Sequence, residues 1–434
     1  MDLRPDRGLH THKRKLPHVT LVTARPLWYW CFFGALTMSL GWGLRGSIGG
    51  GSLGAMIPGA MIGLVLCLLL GRIKDSGLIA AFAAIGVGFG GQETYGQTVG
   101  LSLHSETFWW AILGFTIKGS AWGMLGGSFI GIALQQGRYS KRQLIAGFAI
   151  MALGTWIGWR FLNHPKLIYF SNRIDRPREE LWAGLWLGGL LMLAWLRARV
   201  PSLFALCGAA GGGIGFGLGA SLQPWGRAAW PSMSLGWWKG MELTFRALLG
   251  LSLVLCTWRL RHELAAAETE PPRGTTHTRA FALAAIAIAL AITADRYLPV
   301  RFDYTLAGGL LASLVLFSES LAWHTAITAT SAAFAWDFLK HQTFAPRTIA
   351  WTAVAAITIA VAVIVARRPR VQSMFFLLTW MAVASAFRYL LPPTTAGSEP
   401  VTMLIVFVLF AVAVTLLAEG GKRRLVNPSV RQRE

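Results

Sequence analysis

Apolar residues fall in long blocks along this chain, separated by short polar or basic intervals. The blocks approach or exceed the roughly 20 residues a helix needs to cross the hydrocarbon layer, and they predict about fourteen membrane spans. These lie near 26–44, 52–71, 77–91, 107–135, 143–162, 181–197, 200–219, 233–257, 280–298, 304–318, 321–339, 348–366, 373–391 and 400–418. The shortest, 77–91 and 304–318, also fit re-entrant or tilted segments. The fold class this predicts is all-α, a polytopic helical membrane protein.

The pattern repeats. Residues 86–118 and 213–246 each carry Gly-Phe-Gly, then a polar interval, then a Trp-Trp pair, Trp109-Trp110 and Trp237-Trp238. A threonine and a base follow at matching distances, Thr116 and Lys118 in one copy and Thr244 and Arg246 in the other. With Met38–Trp42 resembling Met151–Trp156, the glycine-rich first half parses into four-helix repeats over 26–138 and 142–260. An even number of spans returns each unit to its starting side, so the repeats are expected to be parallel, about an axis along the membrane normal. A polar linker over 261–279 leads to a six-helix bundle over 280–418, poorer in glycine. Basic tails occupy 1–25 and 419–434.

Small residues recur every fourth position at Ala55-Gly59-Gly63, Ala80-Ala84-Gly88 and Gly211-Gly215-Gly219, a spacing that lets helix backbones approach closely in lipid. Glycines are denser still over 41–52, around Arg45. Two readings of that segment stand: an unwound turn whose free N–H groups and Arg45 cradle an anion, or a tight hairpin with Arg45 snorkelling to lipid phosphate.

Charge changes the picture only through its placement. The formal net charge is +21, but the bases crowd the N-terminal tail, Arg138–Arg142, Arg367–Arg370 and Lys422–Arg424. This is a positive-inside distribution that contacts anionic inner-leaflet lipid and places both termini in the cytoplasm, in an inner or plasma membrane. Nucleic acid is not an expected partner. Residues 160–180 dissent, with five bases on the expected outer side. Cys31, Cys67, Cys207 and Cys256 lie in apolar spans without paired spacing, and no disulfide, metal or cofactor is expected.

The candidate chemistry is the ionisable groups inside spans, which are expensive and functional by default. Lys118 sits about halfway along its span, with Glu93 or Glu106 as the nearest acids. Glu242 lies four residues before Arg246 on one helical face, a spacing that predicts an ion pair between them. Gln92, Glu93, Tyr95 and Gln97 are expected to line an outer vestibule above Trp109 and Trp237, although tryptophan also gathers at interfaces for its amphipathic ring alone. In the second half Ser320, His324, Thr328 and Ser331 form a polar stripe. His324 is the proton-relay candidate there, against interhelical hydrogen bonding.

No motif of a known enzyme class appears. The function expected is transport or flipping of a small anionic, amphiphilic or lipid-linked substrate at Arg45, Glu93, Lys118, Trp109, Trp237, Glu242 and Arg246, coupled to protons. A membrane-embedded transferase or hydrolase acting on a lipid-borne substrate, and a non-catalytic scaffold subunit, are the alternatives.

Overall fold

The computed structural model describes residues 25–45, 51–72, 75–91, 93, 95–172, 178–233, 235–265, 347–367, 371–390 and 398–420. Among the described residues the chain is helical and has no strand. The helices are α1 (Leu27–Arg45), α2 (Gly51–Leu70), α3 (Ser76–Gly90), α4 (Gly96–Ser102), α5 (Phe108–Leu134), α6 (Lys141–Gly158), α7 (Trp182–Leu196), α8 (Arg199–Ala229), α9 (Trp237–Ala265), α10 (Arg347–Arg367), α11 (Val371–Leu390) and α12 (Ser398–Gly420). A π-helical turn, Trp159–Asn163, extends α6.

Four segments are long and apolar enough to cross a membrane, Lys141–Asn163, Arg199–Ala229, Trp237–Ala265 and Val401–Glu419, as a membrane protein requires. Shorter apolar helices occupy Gly54–Leu70, Ser76–Gly90 and Trp182–Leu196. The expected spans 280–298, 304–318 and 321–339 lie outside the described residues. Two helices outrun their expected ends. α8 continues to Ala229 through Pro224, and α9 reaches Ala265, inside the stretch read as a linker.

Glycine sets the packing. α5 and α8 share the most extensive interface, and they cross antiparallel with backbone against backbone. A Cβ built on Gly123 would lie 1.8 Å from the Gly208 carbonyl oxygen, and one on Gly208 would lie 2.0 Å from that of Gly123. Gly119 meets Gly212 and Gly127 meets Phe204 in the same way along the seam. The opposite face of α8 carries Gly211, Gly215 and Gly219 against Leu248, Phe245 and Met241 of α9. So α8 is a two-sided glycine ribbon between α5 and α9. The other two stripes seen in the sequence pack on each other: Gly59 meets Ala83 and Ala84, and Gly63 meets Ala80, as α2 folds back on α3. Gly71, at φ 70°, makes that turn in the left-handed region open to glycine.

Beside this turn Arg72, 2 % exposed, pairs with Asp75 and donates to the carbonyls of Leu134 and Leu264. One guanidinium thus satisfies the C-terminal ends of both α5 and α9. Because α5 and α9 end together there, they run parallel, and Lys118 and Arg246 lie toward the same far end of the bundle.

α6 starts on a capping box, in which Ser140 Oγ accepts from the Gln143 N–H and the Gln143 side chain accepts from the Ser140 N–H. Replacing Ser140 by Ala is expected to cost about 1 kcal/mol, seen as a modest fall in melting temperature of the detergent-purified protein. α6 pairs with α7 through Gly154 and Gly158 against Gly188 and Gly184. α12 packs on α11 and α1, where Tyr29 donates to the Leu417 carbonyl. The four cysteines are unpaired.

Candidate functional site: two caged bases

The polar interval after α3 folds inward. Glu93 is 2 % exposed, Tyr95 8 % and Thr98 0 %, so this turn and the start of α4 plug the bundle and line no open vestibule. Gln92 and the Gln97 side chain lie outside the described residues. The turn faces two ways. Glu93 and Thr98 reach one buried base, and Tyr95 reaches the other.

The first base is Lys118 on α5, fully buried. Its ammonium lies 2.7 Å from Glu180 Oε1 and 3.2 Å from Glu93 Oε1, and donates to Thr98 Oγ1 at 3.0 Å. Glu93 was legible as a partner. Glu106 is exposed and takes no part. Glu180 comes from the stretch before α7, the basic loop that seemed out of place. That segment turns inward so that the Phe170 N–H and the Ser171 hydroxyl both donate to the Glu180 carboxylate. Glu93 Oε2 accepts from the Leu181 N–H at 2.6 Å. Burial pushes the Glu93 carboxyl above the usual carboxylate range, and the nearby Glu180 adds to this, against the pull of the Lys118 ammonium.

The second base is Arg246 on α9, also fully buried. It does not pair with Glu242. Lys239, three residues before Glu242 on the same helix, holds Glu242 Oε2 at 2.7 Å, and the Tyr95 hydroxyl donates to Oε1 at 3.0 Å. Arg246 lies instead between indoles, with its guanidinium carbon 3.7 Å from the ring centroid of Trp42 on α1 and 4.4 Å from that of Trp122 on α5. Stacking on two rings stabilises a desolvated cation by a few kcal/mol at most, yet none of its three nitrogens finds a hydrogen-bond acceptor among the described residues. An ionised group with that many idle donors is costly to bury.

Arg45 shares the cage. It ends α1 8 % exposed, so it does not snorkel to a surface, and its guanidinium carbon lies 4.2 Å from the Trp42 centroid while Nη1 donates to the Tyr95 hydroxyl at 3.3 Å. The glycines at 46–50, the other half of the expected cradle, lie outside the described residues. Among the described residues, Arg45, Lys239 and Glu242 thus meet Arg246 in one cluster linked through Tyr95.

The tryptophan pairs divide differently from expectation. Trp109 is 74 % exposed and touches neither base. Trp237 is half-buried on Gly226 and donates to the Trp230 carbonyl. Both look outward from the first turn of their helices, as interfacial tryptophans do. Trp238 alone reaches the cage, stacked on Tyr95 at 6.1 Å. His324 lies outside the described residues.

The cage tryptophans and Glu180 were not singled out in the sequence. Trp122 sits one turn beyond Lys118 and Trp42 three residues before Arg45, so same-face spacing carried a signal for both. Glu180 had none beyond being an acid at the mouth of a span.

Among the described residues, Lys118 and Arg246 are each closed in by partners of their own. An apolar groove of about 620 Å³ lies elsewhere, toward the other end of α8, lined by Leu190, Leu193, Leu206 and Arg197 among others. Comparison with known protein families, with curated proteins and with solved structures finds no match to this chain.

Proposed function

We propose that this chain is a multi-pass membrane transporter or flippase whose substrate carries an anionic group, free or lipid-borne, and that Arg246 and Arg45 receive that group. One observation carries the reading: a fully buried guanidinium whose three nitrogens find no acceptor among the described residues, held by aromatic rings beside a second arginine. A phosphate or carboxylate entering the cage supplies the acceptors that the described residues do not, and guanidinium suits it through bidentate hydrogen bonding.

On this reading about fourteen spans and two parallel four-helix repeats frame the site. The glycine seam between α5 and α8 is the interface of the repeats, and both termini face the cytoplasm. Closed packing around both bases corresponds to an occluded arrangement, and substrate access requires the turn at Glu93–Tyr95 to move.

The test is binding of inorganic phosphate and of short-chain phosphatidic acid to the full-length protein in detergent, followed by uptake into proteoliposomes. Arg246→Met is expected to weaken binding at least about 30-fold, since losing a charge-assisted pair in a desolvated site costs about 2 kcal/mol or more. It is expected to fold as well as the wild type or better, having lost a buried charge. Unaltered affinity in the folded variant, or no binding to the wild type, sinks the assignment.

A further inference from the structure

Among the described residues, charge does not balance around Lys118. Two carboxylates converge on one ammonium, with Lys118, Glu93 and Glu180 side chains all 0 % exposed. Arg45, Lys239 and Arg246 belong to the neighbouring cage. Among the described residues the charged groups facing Glu93 are Lys118 from α5 and Glu180 from the stretch before α7. Thr98 and Ser171 add hydroxyls, and Leu181 a backbone N–H.

The two acids are not equivalent. Glu180 is the better held, with the ammonium, two contacts from the Phe170 N–H and the Ser171 hydroxyl all donating to it. Glu93 accepts one backbone N–H through Oε2, and its Oε1 lies 3.2 Å from the Lys118 ammonium, against 2.7 Å for Glu180. One ammonium cannot compensate two buried carboxylates, and the less well held of them takes up a proton rather than stay ionised.

We infer that the Glu93–Glu180 pair on Lys118 holds one exchangeable proton at neutral pH, seated on Glu93, and that this is the proton site of the transporter. The second half rests on the function proposed above; the first stands on the geometry alone. The link between the sites is short. Glu93 and Tyr95 are two residues apart on one turn, and Tyr95 contacts Arg45 and Glu242 in the cage. An anion that draws Arg45 from the Tyr95 hydroxyl moves the turn that holds Glu93 against Lys118. Proton binding and anion binding then compete through a single backbone segment. His324, the sequence candidate for a relay, is not needed for this.

The count of protons follows from acids minus bases, and difference infrared spectroscopy on full-length protein carrying ¹³C-labelled glutamate reads it. At neutral pH the wild type is expected to show one protonated carboxyl from this cluster. Glu93→Gln removes it. Glu180→Gln also removes it, because one acid then faces one base. Lys118→Met, measured at mildly acidic pH, doubles the signal. Two variants remove the band and the third doubles it, so a folding failure in one leaves the other two decisive. A wild-type spectrum without the band, or a Lys118→Met spectrum without the gain, overturns the proton site.

Coupling is read separately on the same samples, as proton release to a pH-indicator dye when short-chain phosphatidic acid binds. Release in the wild type and its loss in Glu93→Gln, with binding retained, is expected. Binding without any release overturns the coupling. If the wild type shows the band but binds no anion, the function proposed above falls and the proton site stands.

Discussion

Replacing Gly123 by Ala is expected to abolish the folded protein. The added methyl would sit 1.8 Å from the Gly208 carbonyl oxygen, and what it meets is backbone on a helix that is itself clamped from behind by α9. A flexible side chain could turn aside; this carbonyl cannot. Separating the helices to make room also parts Gly119 from Gly212 and Gly127 from Phe204, so close contacts over three turns are lost together. Overpacking a core side chain costs about 1–3 kcal/mol, and backbone against backbone belongs at or beyond the upper end. Gly208→Ala is expected to do the same, and the double variant little more than either, since both break one seam. Gly100→Ala is the control. It is also a helix glycine, but nothing lies within 4 Å of its Cβ position, so it is expected to be neutral or to stabilise by about 0.5–1 kcal/mol through helix propensity. Extraction yield, size-exclusion profile and melting temperature decide it. A Gly123→Ala protein that matches the wild type in all three contradicts the backbone contact.

The helices and much of their packing were legible because small residues four apart say directly that something lies close. The stripes at Gly59-Gly63 and Ala80-Ala84 carried that message, and the structure shows each is the other's partner. Spacing gave the presence of a seam but not its pairing, and for α8 it showed one ribbon face and hid the second, at Gly208 and Gly212.

The site was legible as residues and not as contacts. Lys118, Arg246, Arg45, Glu93 and Glu242 are all buried. Their pairing followed three-dimensional proximity over helical spacing. Arg246 has an acid at the expected distance, yet Lys239 is also within reach of Glu242, and two indoles from other helices compete for the guanidinium. Glu180 is 62 residues from Lys118, and no local rule connects them. The exposed Trp109 marks the reverse error: a conspicuous motif whose amphipathic ring explains it without any ligand.

Lys118→Met should be the most damaging change at the site, and its damage should depend on pH. Removing one partner from a buried ion pair leaves an uncompensated charge and costs about 3–5 kcal/mol; here the change leaves two acids facing each other. Both must be neutral to stay buried, whereas in the unfolded chain each ionises above about pH 4.3. The folded state therefore binds more protons than the unfolded state over the range above that value, and stability falls as pH rises. The variant is expected to be near wild type in mild acid and to lose the full amount by neutral pH. The wild type follows the same sign more weakly, because the Glu93 carboxyl is raised above its ordinary range; its stability declines as pH climbs through that group. Adding Glu93→Gln and Glu180→Gln to Lys118→Met removes the titration and leaves a neutral cluster that the Leu181 N–H, Phe170 N–H and Ser171 hydroxyl still satisfy, restoring stability to within about 1 kcal/mol, since neutral replacements of buried ion clusters are tolerated. Melting temperatures of the single and triple variants across pH settle the matter. A Lys118→Met protein with a flat pH profile would mean that the two carboxylates reach solvent in the working protein, and that Lys118 is not what keeps them buried.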